Sequence, residues 1–119
     1  RAAIDDRVEK DIPDITMAAF ISWTYNVGTG AAERSTLVRR INAGKLKEAC
    51  DQLPRWVRVK GVVVRGLENR RWRGDTQRIS EHTMCMIGLD PQYKTPLFES
   101  LYIGYRTWVD SLFEDGVNV

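Results

Sequence analysis

The chain has 119 residues, with 18 Lys and Arg against 16 Asp and Glu and a single His, which gives a formal charge of +2. That length allows one domain at most, and a composition of 43% hydrophobic and 29% charged residues is that of a globular chain. No run approaches the roughly 18 apolar residues of a membrane span, and so small a charge excess gives no support to a polyanionic partner, which needs a clustered basic face.

The chain opens at Arg1 rather than Met, without a basic segment followed by an apolar one, so it is expected to be a piece of a longer protein. Cys50 and Cys85 are too few for a disulfide scaffold and lack the paired spacing of structural zinc, so no metal site is expected. Both lie in apolar runs, EACDQL and TMCMIG. They read as two buried thiols acting as small hydrophobes, with a disulfide as the alternative, which requires an oxidising compartment. No motif calls for a cofactor.

The stretch from Ala2 to Lys10 is charged and tolerant of helix, and Ile12-Pro13-Asp14 ends it. Asp14 is expected to cap a second helix carrying Ile15, Ala18, Ala19, Ser22, Trp23 and Asn26 until Gly28. This most apolar helix should be central. Thr29 to Ala32 reads as a small-residue loop, after which Ser35 caps a short helix with Leu37 and Ile41, stopped at Asn42-Ala43-Gly44. Leu46, Ala49, Cys50 and Leu53 stand at helical spacing on one face, and Pro54 breaks that helix.

Trp56 to Val64 is ambiguous. Val57 and Val59 alternate with Arg58 and Lys60 around a turn at Gly61, as a short hairpin over 57–64 does. From Leu67 to Leu89 the pattern predicts helix, turn, helix. Residues 91–96 read as a linker, and Leu97 to Phe113 as a final amphipathic helix with Leu97, Leu101, Tyr105, Trp108, Val109 and Leu112 on one side.

His82, the single imidazole, lies in the polar run Ser80-Glu81-His82-Thr83 and is expected at the surface, with no catalytic triad in reach. Nearly all carboxylates sit among Lys and Arg, whereas a general acid needs a partly apolar setting. Glu99, between Phe98 and Leu101, is the nearest exception, with a solvent-facing helical position as its plainer explanation. Arg70, Arg71 and Arg73 around Trp72, then Arg78, suit either phosphate binding or a solvated helix face. Tyr25 and Asn26 stand at the end of the central helix, beside Gly28-Thr29-Gly30, where a backbone can approach a ligand closely; a helix cap with a tight turn accounts for the same residues.

The blocks AAFISWTYNVGTGAAERSTLVRRINAG, KEACDQLPRW and VVVRGLENRR, in this order, resemble the phage-type lysozymes (endolysins) of glycoside hydrolase family 24. RVEKDIP before them and MCMIG after them extend the likeness from Val8 to Gly88. The resemblance implies a mainly α fold, the helical lobe of a muramidase that hydrolyses the β-1,4 bond between N-acetylmuramic acid and N-acetylglucosamine in peptidoglycan. The family's general-acid Glu, with the Asp and Thr that follow it, has no match here: Glu9, Asp14 and Thr16 have the wrong spacing, and Glu99 lies on the wrong side of the matched blocks. The resemblance therefore implies one lysozyme-like lobe over 1–90, a catalytic lobe outside this chain as its partner, no catalytic residue of its own, and no nucleic acid.

By the same resemblance Tyr25, Asn26, Gly28 and Gly30 line the cleft floor, while Arg70 and Arg71 at its far end meet substrate carboxylates. Action on the cell wall, in the periplasm or outside the cell after synthesis in the host cytoplasm, would let a Cys50–Cys85 bridge persist. Trp72 to Gln77 looks like an added piece, and 91–119 has no counterpart in the family. Tyr102, Tyr105, Trp108 and Phe113 of that tail suit a sugar-stacking or partner surface, or a core. The rival readings are a non-catalytic module that binds the wall or a protein partner, and a nucleic-acid-binding helical protein working through Arg70 to Arg78.

Overall fold

The computed structural model describes residues 4, 6–9, 11–75, 79–90 and 92. The expected linker of 91–96, apart from Gln92, and the final helix of 97–113, with Glu99 and the tail aromatics, lie outside the described residues, as do Thr76 and Gln77 of the added piece and Arg78 of the arginine run. Seven helices and one two-stranded hairpin are described: α1 (Asp6–Glu9), α2 (Asp14–Val27), α3 (Thr29–Glu33), α4 (Thr36–Asn42), α5 (Leu46–Cys50), β1 (Arg58–Val59), β2 (Val62–Val63), α6 (Arg65–Glu68) and α7 (Glu81–Ile87). A 3₁₀ turn at Leu53–Arg55 follows α5, and a π turn at Asn69–Arg73 continues α6. Among the described residues the fold is mainly helical with one short hairpin, as the sequence pattern implies.

α2 is the centre. Ala18 to Thr24 is buried without interruption, so the helix is covered on all sides and has no single apolar stripe. Pro13, and not Asp14, occupies its cap position: Pro fixes φ at −57° and needs no N–H partner, while the Asp14 carboxylate sits in the first turn against the helix dipole. Gly28 ends the helix at φ 92°, ψ 150°, a backbone region essentially restricted to glycine, and its N–H still bonds Thr24 O at 2.8 Å. The expected loop at Thr29 to Ala32 is instead α3. The chain re-enters helix directly after Gly28, because two alanines favour it and Ala32 reaches the core.

Ser35 caps α4 by accepting from Val38 N at 3.0 Å, and Ser80 caps α7 in the same way through Thr83 N. α7 packs along α2, and this contact depends on one glycine. A Cβ on Gly88 would overlap Thr16 Oγ1 and come within 2.9 Å of Ile15 Cγ2. Thr16 uses that hydroxyl to donate to Cys85 O at 2.8 Å, tying the two helices together. The sulfurs of Cys50 and Cys85 are bonded, joining α5 to α7 across 35 residues of sequence with the Cα atoms 5.7 Å apart. Trp23, fully buried on α2, meets Trp56 edge to face at 5.2 Å between ring centroids.

The hairpin pairs Arg58 with Val63 and Val59 with Val62. Its turn places Lys60 at φ 51° and Gly61 at φ 82°, the two left-handed residues of a type I′ connection. Both strands are exposed, Val62 most of all at 66%, so the hairpin projects from the helical body and contributes little to its core.

Candidate functional site

The C-terminal end of α2 brings Tyr25 and Asn26 to the surface, Tyr25 with 52% of its area exposed. Beside them opens a cavity of about 310 Å³ lined by Asn26 and Val27 of α2, Trp56, Arg58 and Val59 of β1, Leu67 of α6, and Arg71 of the π turn. One wall is therefore the hairpin, and the floor is the exit of the central helix. Gly28 and Gly30 lie in the next turn of chain, both exposed, and a Cβ on Gly30 would meet only Arg34 Nη1 at 3.7 Å.

Behind the cavity is a polar network that residue spacing did not predict. Glu81, the first residue of α7, is fully buried. Its Oε1 accepts from Arg71 Nη1 at 2.7 Å, and its Oε2 from Arg70 Nε at 3.0 Å and from Ser22 Oγ. Arg70 also donates through Nη2 to Ser22 O at 2.9 Å. Arg71, itself without exposed side-chain area, reaches onward through Nη2 to Asn26 Oδ1. The π turn holds both arginines against the one carboxylate, and Gly74 at φ 71° closes that turn onto Asn69 O. A buried carboxylate is stable there because charged donors satisfy both of its oxygens.

Of the residues expected at the site, the structure brings Asn26, Arg70 and Arg71 into one connected network and puts Tyr25, Gly28 and Gly30 at its exposed edge. Arg70 and Arg71 turn inward and form no solvated basic stripe. Glu81 was missed among the charged runs. A signal for it exists, since Glu81, Met84, Cys85 and Gly88 stand at i, i+3, i+4 and i+7 on the face of α7 that meets α2. A carboxylate on an apolar face needs buried counter-charges, and the pair at 70 and 71 supplies them. His82, one position on, is half-buried, with Nε2 2.9 Å from Asp51 Oδ1. Among the described residues no group of three or more His, Cys, Asp or Glu is placed to hold a metal ion, and no helix is long and apolar enough to cross a membrane.

The sequence is similar to those of known phage endolysins. A SAR-endolysin of Bacteriophage PS119 is 47% identical over 86 residues, which cover 71% of this chain and 47% of the relative. A SAR-endolysin of Escherichia phage Mu is 39% identical over 70 residues, 59% of this chain and 41% of the relative. An endolysin of Bacillus phage B103 is 31% identical over 87 residues, 67% of this chain and 33% of the relative. The chain thus spans about half the length, or less, of the curated relatives it matches. The phage lysozyme family profile matches residues 1–73, more than half of the chain and inclusive of α2, the hairpin and both arginines, so this chain belongs to the phage lysozyme family.

Proposed function

We propose that this chain is the helical, peptidoglycan-binding lobe of a muramidase that hydrolyses the β-1,4 bond between N-acetylmuramic acid and N-acetylglucosamine. Its membership of the phage lysozyme family, through a match over 1–73, is the observation that carries the reading. Cleavage needs one carboxylic acid to protonate the leaving oxygen while a nucleophile attacks the anomeric carbon. Among the described residues the buried carboxylate is Glu81, and two guanidiniums and a hydroxyl already occupy both of its oxygens, which suits a structural group with neither oxygen open to a glycosidic bond. By the resemblance to phage-type lysozymes the acid is assigned to a lobe outside this chain, with which this one forms the cleft. Tyr25, Asn26, Gly28 and Gly30 line the floor of that cleft, with Arg70 and Arg71 at its far end. The site of action is the cell wall, in the periplasm or outside the cell.

Sedimentation with purified peptidoglycan sacculi tests the reading. The chain is expected to pellet with the sacculi and to release no reducing sugar from them. A chain that stays in the supernatant overturns the binding role, and reducing-sugar release at a rate comparable to an intact family member overturns the assignment of the acid elsewhere.

A further inference from the structure

The network behind the cavity fixes more than its own stability. A guanidinium carries five donors and no acceptor, so the atom of the Asn26 amide that faces Arg71 Nη2 has to be the oxygen. The amide nitrogen with its two hydrogens is then left for the cavity that Asn26 lines, and no hydrogen bond from it to another described residue is present. Arg71 is in turn held by Glu81, whose other oxygen is locked by Arg70 and Ser22. The order of the chain is therefore Glu81 to Arg71 to Asn26, and a fully buried carboxylate sets the orientation of an exposed amide.

We infer that Glu81 is a positioning residue which, through Arg71, makes Asn26 a dedicated hydrogen-bond donor, so that the cavity takes the carbonyl or carboxylate oxygen of its ligand. This rests on the proposed peptidoglycan-binding role and names the chemistry of the group recognised. Two parts of peptidoglycan supply such oxygens: the N-acetyl groups of the glycan and the amides and carboxylates of the peptide stem. With the opposite amide orientation the same cavity would select donors, so the guanidinium behind Asn26 decides specificity without touching the ligand.

Asn26→Asp separates this role from a structural one. Aspartate is nearly isosteric with asparagine and keeps an acceptor toward Arg71, with a charge added to the contact, yet it has no hydrogens to offer a ligand. The full chain and the variant are titrated with tri-N-acetylchitotriose in one arm and with a free stem peptide in the other, and both are unfolded in urea. The variant is expected to keep or raise the unfolding midpoint while losing about tenfold or more in affinity for whichever probe the wild type binds. Glu81→Gln provides a spectroscopic reading in the free chain. The Asn26 side-chain amide resonances are expected to shift while those of Asn42 do not.

Equal affinity of Asn26→Asp and wild type overturns the inference alone, as does a lowered midpoint, which would mean that an acceptor at position 26 does not bond Arg71. An unmoved Asn26 amide in a folded Glu81→Gln chain removes Glu81 from the relay and overturns its positioning role. A wild-type chain that binds neither probe overturns the proposed function, and the inference falls with it.

Discussion

Replacing Glu81 by leucine tests the central feature of the fold, a carboxylate buried between two guanidiniums. Three groups lose their partner at once: Arg71 Nη1, Arg70 Nε and Ser22 Oγ. They do not suffer equally. The Arg70 side chain keeps 20% of its area exposed and can turn its charge toward water, whereas Arg71 has none exposed and stays buried without the carboxylate that its Nη1 bonds. Removing one partner of a buried pair costs about 3–5 kcal/mol, most of it from the stranded charge. With a urea dependence of roughly 2 kcal/mol per molar for a domain of this size, the unfolding midpoint should fall by about 2 M. Trp23 and its edge-to-face neighbour Trp56 report the transition by fluorescence, with circular dichroism as a second probe.

If the stranded charge is the cause, removing that charge must recover stability. Arg71→Met added to Glu81→Leu is therefore expected to regain most of the loss, because an apolar pair of similar volume replaces an ion pair nearly without cost. Arg71→Met alone should cost less than Glu81→Leu, since the carboxylate it leaves still has Arg70 and Ser22. A Glu81→Leu chain within about 1 kcal/mol of wild type, or a double variant no more stable than the single, would refute the reasoning.

Three further outcomes follow from the packing. Opening the Cys50–Cys85 bridge with the double serine variant removes a loop closure over 35 residues and should cost roughly 4 kcal/mol by the chain-entropy relation, and titration of the unreduced, unfolded wild type should find no free thiol at either position. Gly88→Ala should lower the melting temperature at a cost of about 1–3 kcal/mol, because the new methyl group collides with Thr16 and Ile15 where α7 meets α2; an unchanged melt would mean that the helices separate freely there. Gly28→Val should cost about 1–3 kcal/mol from its backbone angles alone, whereas Gly30→Val, whose Cβ would meet only the end of the Arg34 side chain in ordinary contact, should leave stability near wild type and weaken binding of soluble peptidoglycan fragments; unchanged fragment affinity in Gly30→Val would show the turn to be a helix terminator only.

Local pattern was enough to read most of the elements. Asp14 to Val27 reads as the central helix because apolar residues recur along it between Pro13 and Gly28, and both boundaries are set by the backbone chemistry of those two residues alone. Ser35 is a cap wherever its helix goes, since it bonds a donor three residues on. The loop expected at Thr29 to Ala32 failed because local pattern does not decide there. Small residues permit turns and helices alike, and burial of Ala32 chose between them.

The tertiary structure alone decided what the charged residues do. Arg70 and Arg71 look like a solvated run because sequence shows charge and not direction, and only the meeting of α2, α7 and the π turn points them at Glu81, 10 or 11 residues away, and at Ser22 and Asn26, 45 to 48 away. The same holds for Cys50 and Cys85, whose apolar settings fit free thiols or a bridge until α5 and α7 lie side by side. Helix periodicity is a property of neighbours within one or two turns, while the partner of a buried charge or sulfur is fixed by contacts between elements distant in sequence. Gly88 belongs to the same class: nothing beside it in the chain demands a glycine, and only the approach of Thr16 and Ile15 excludes a side chain.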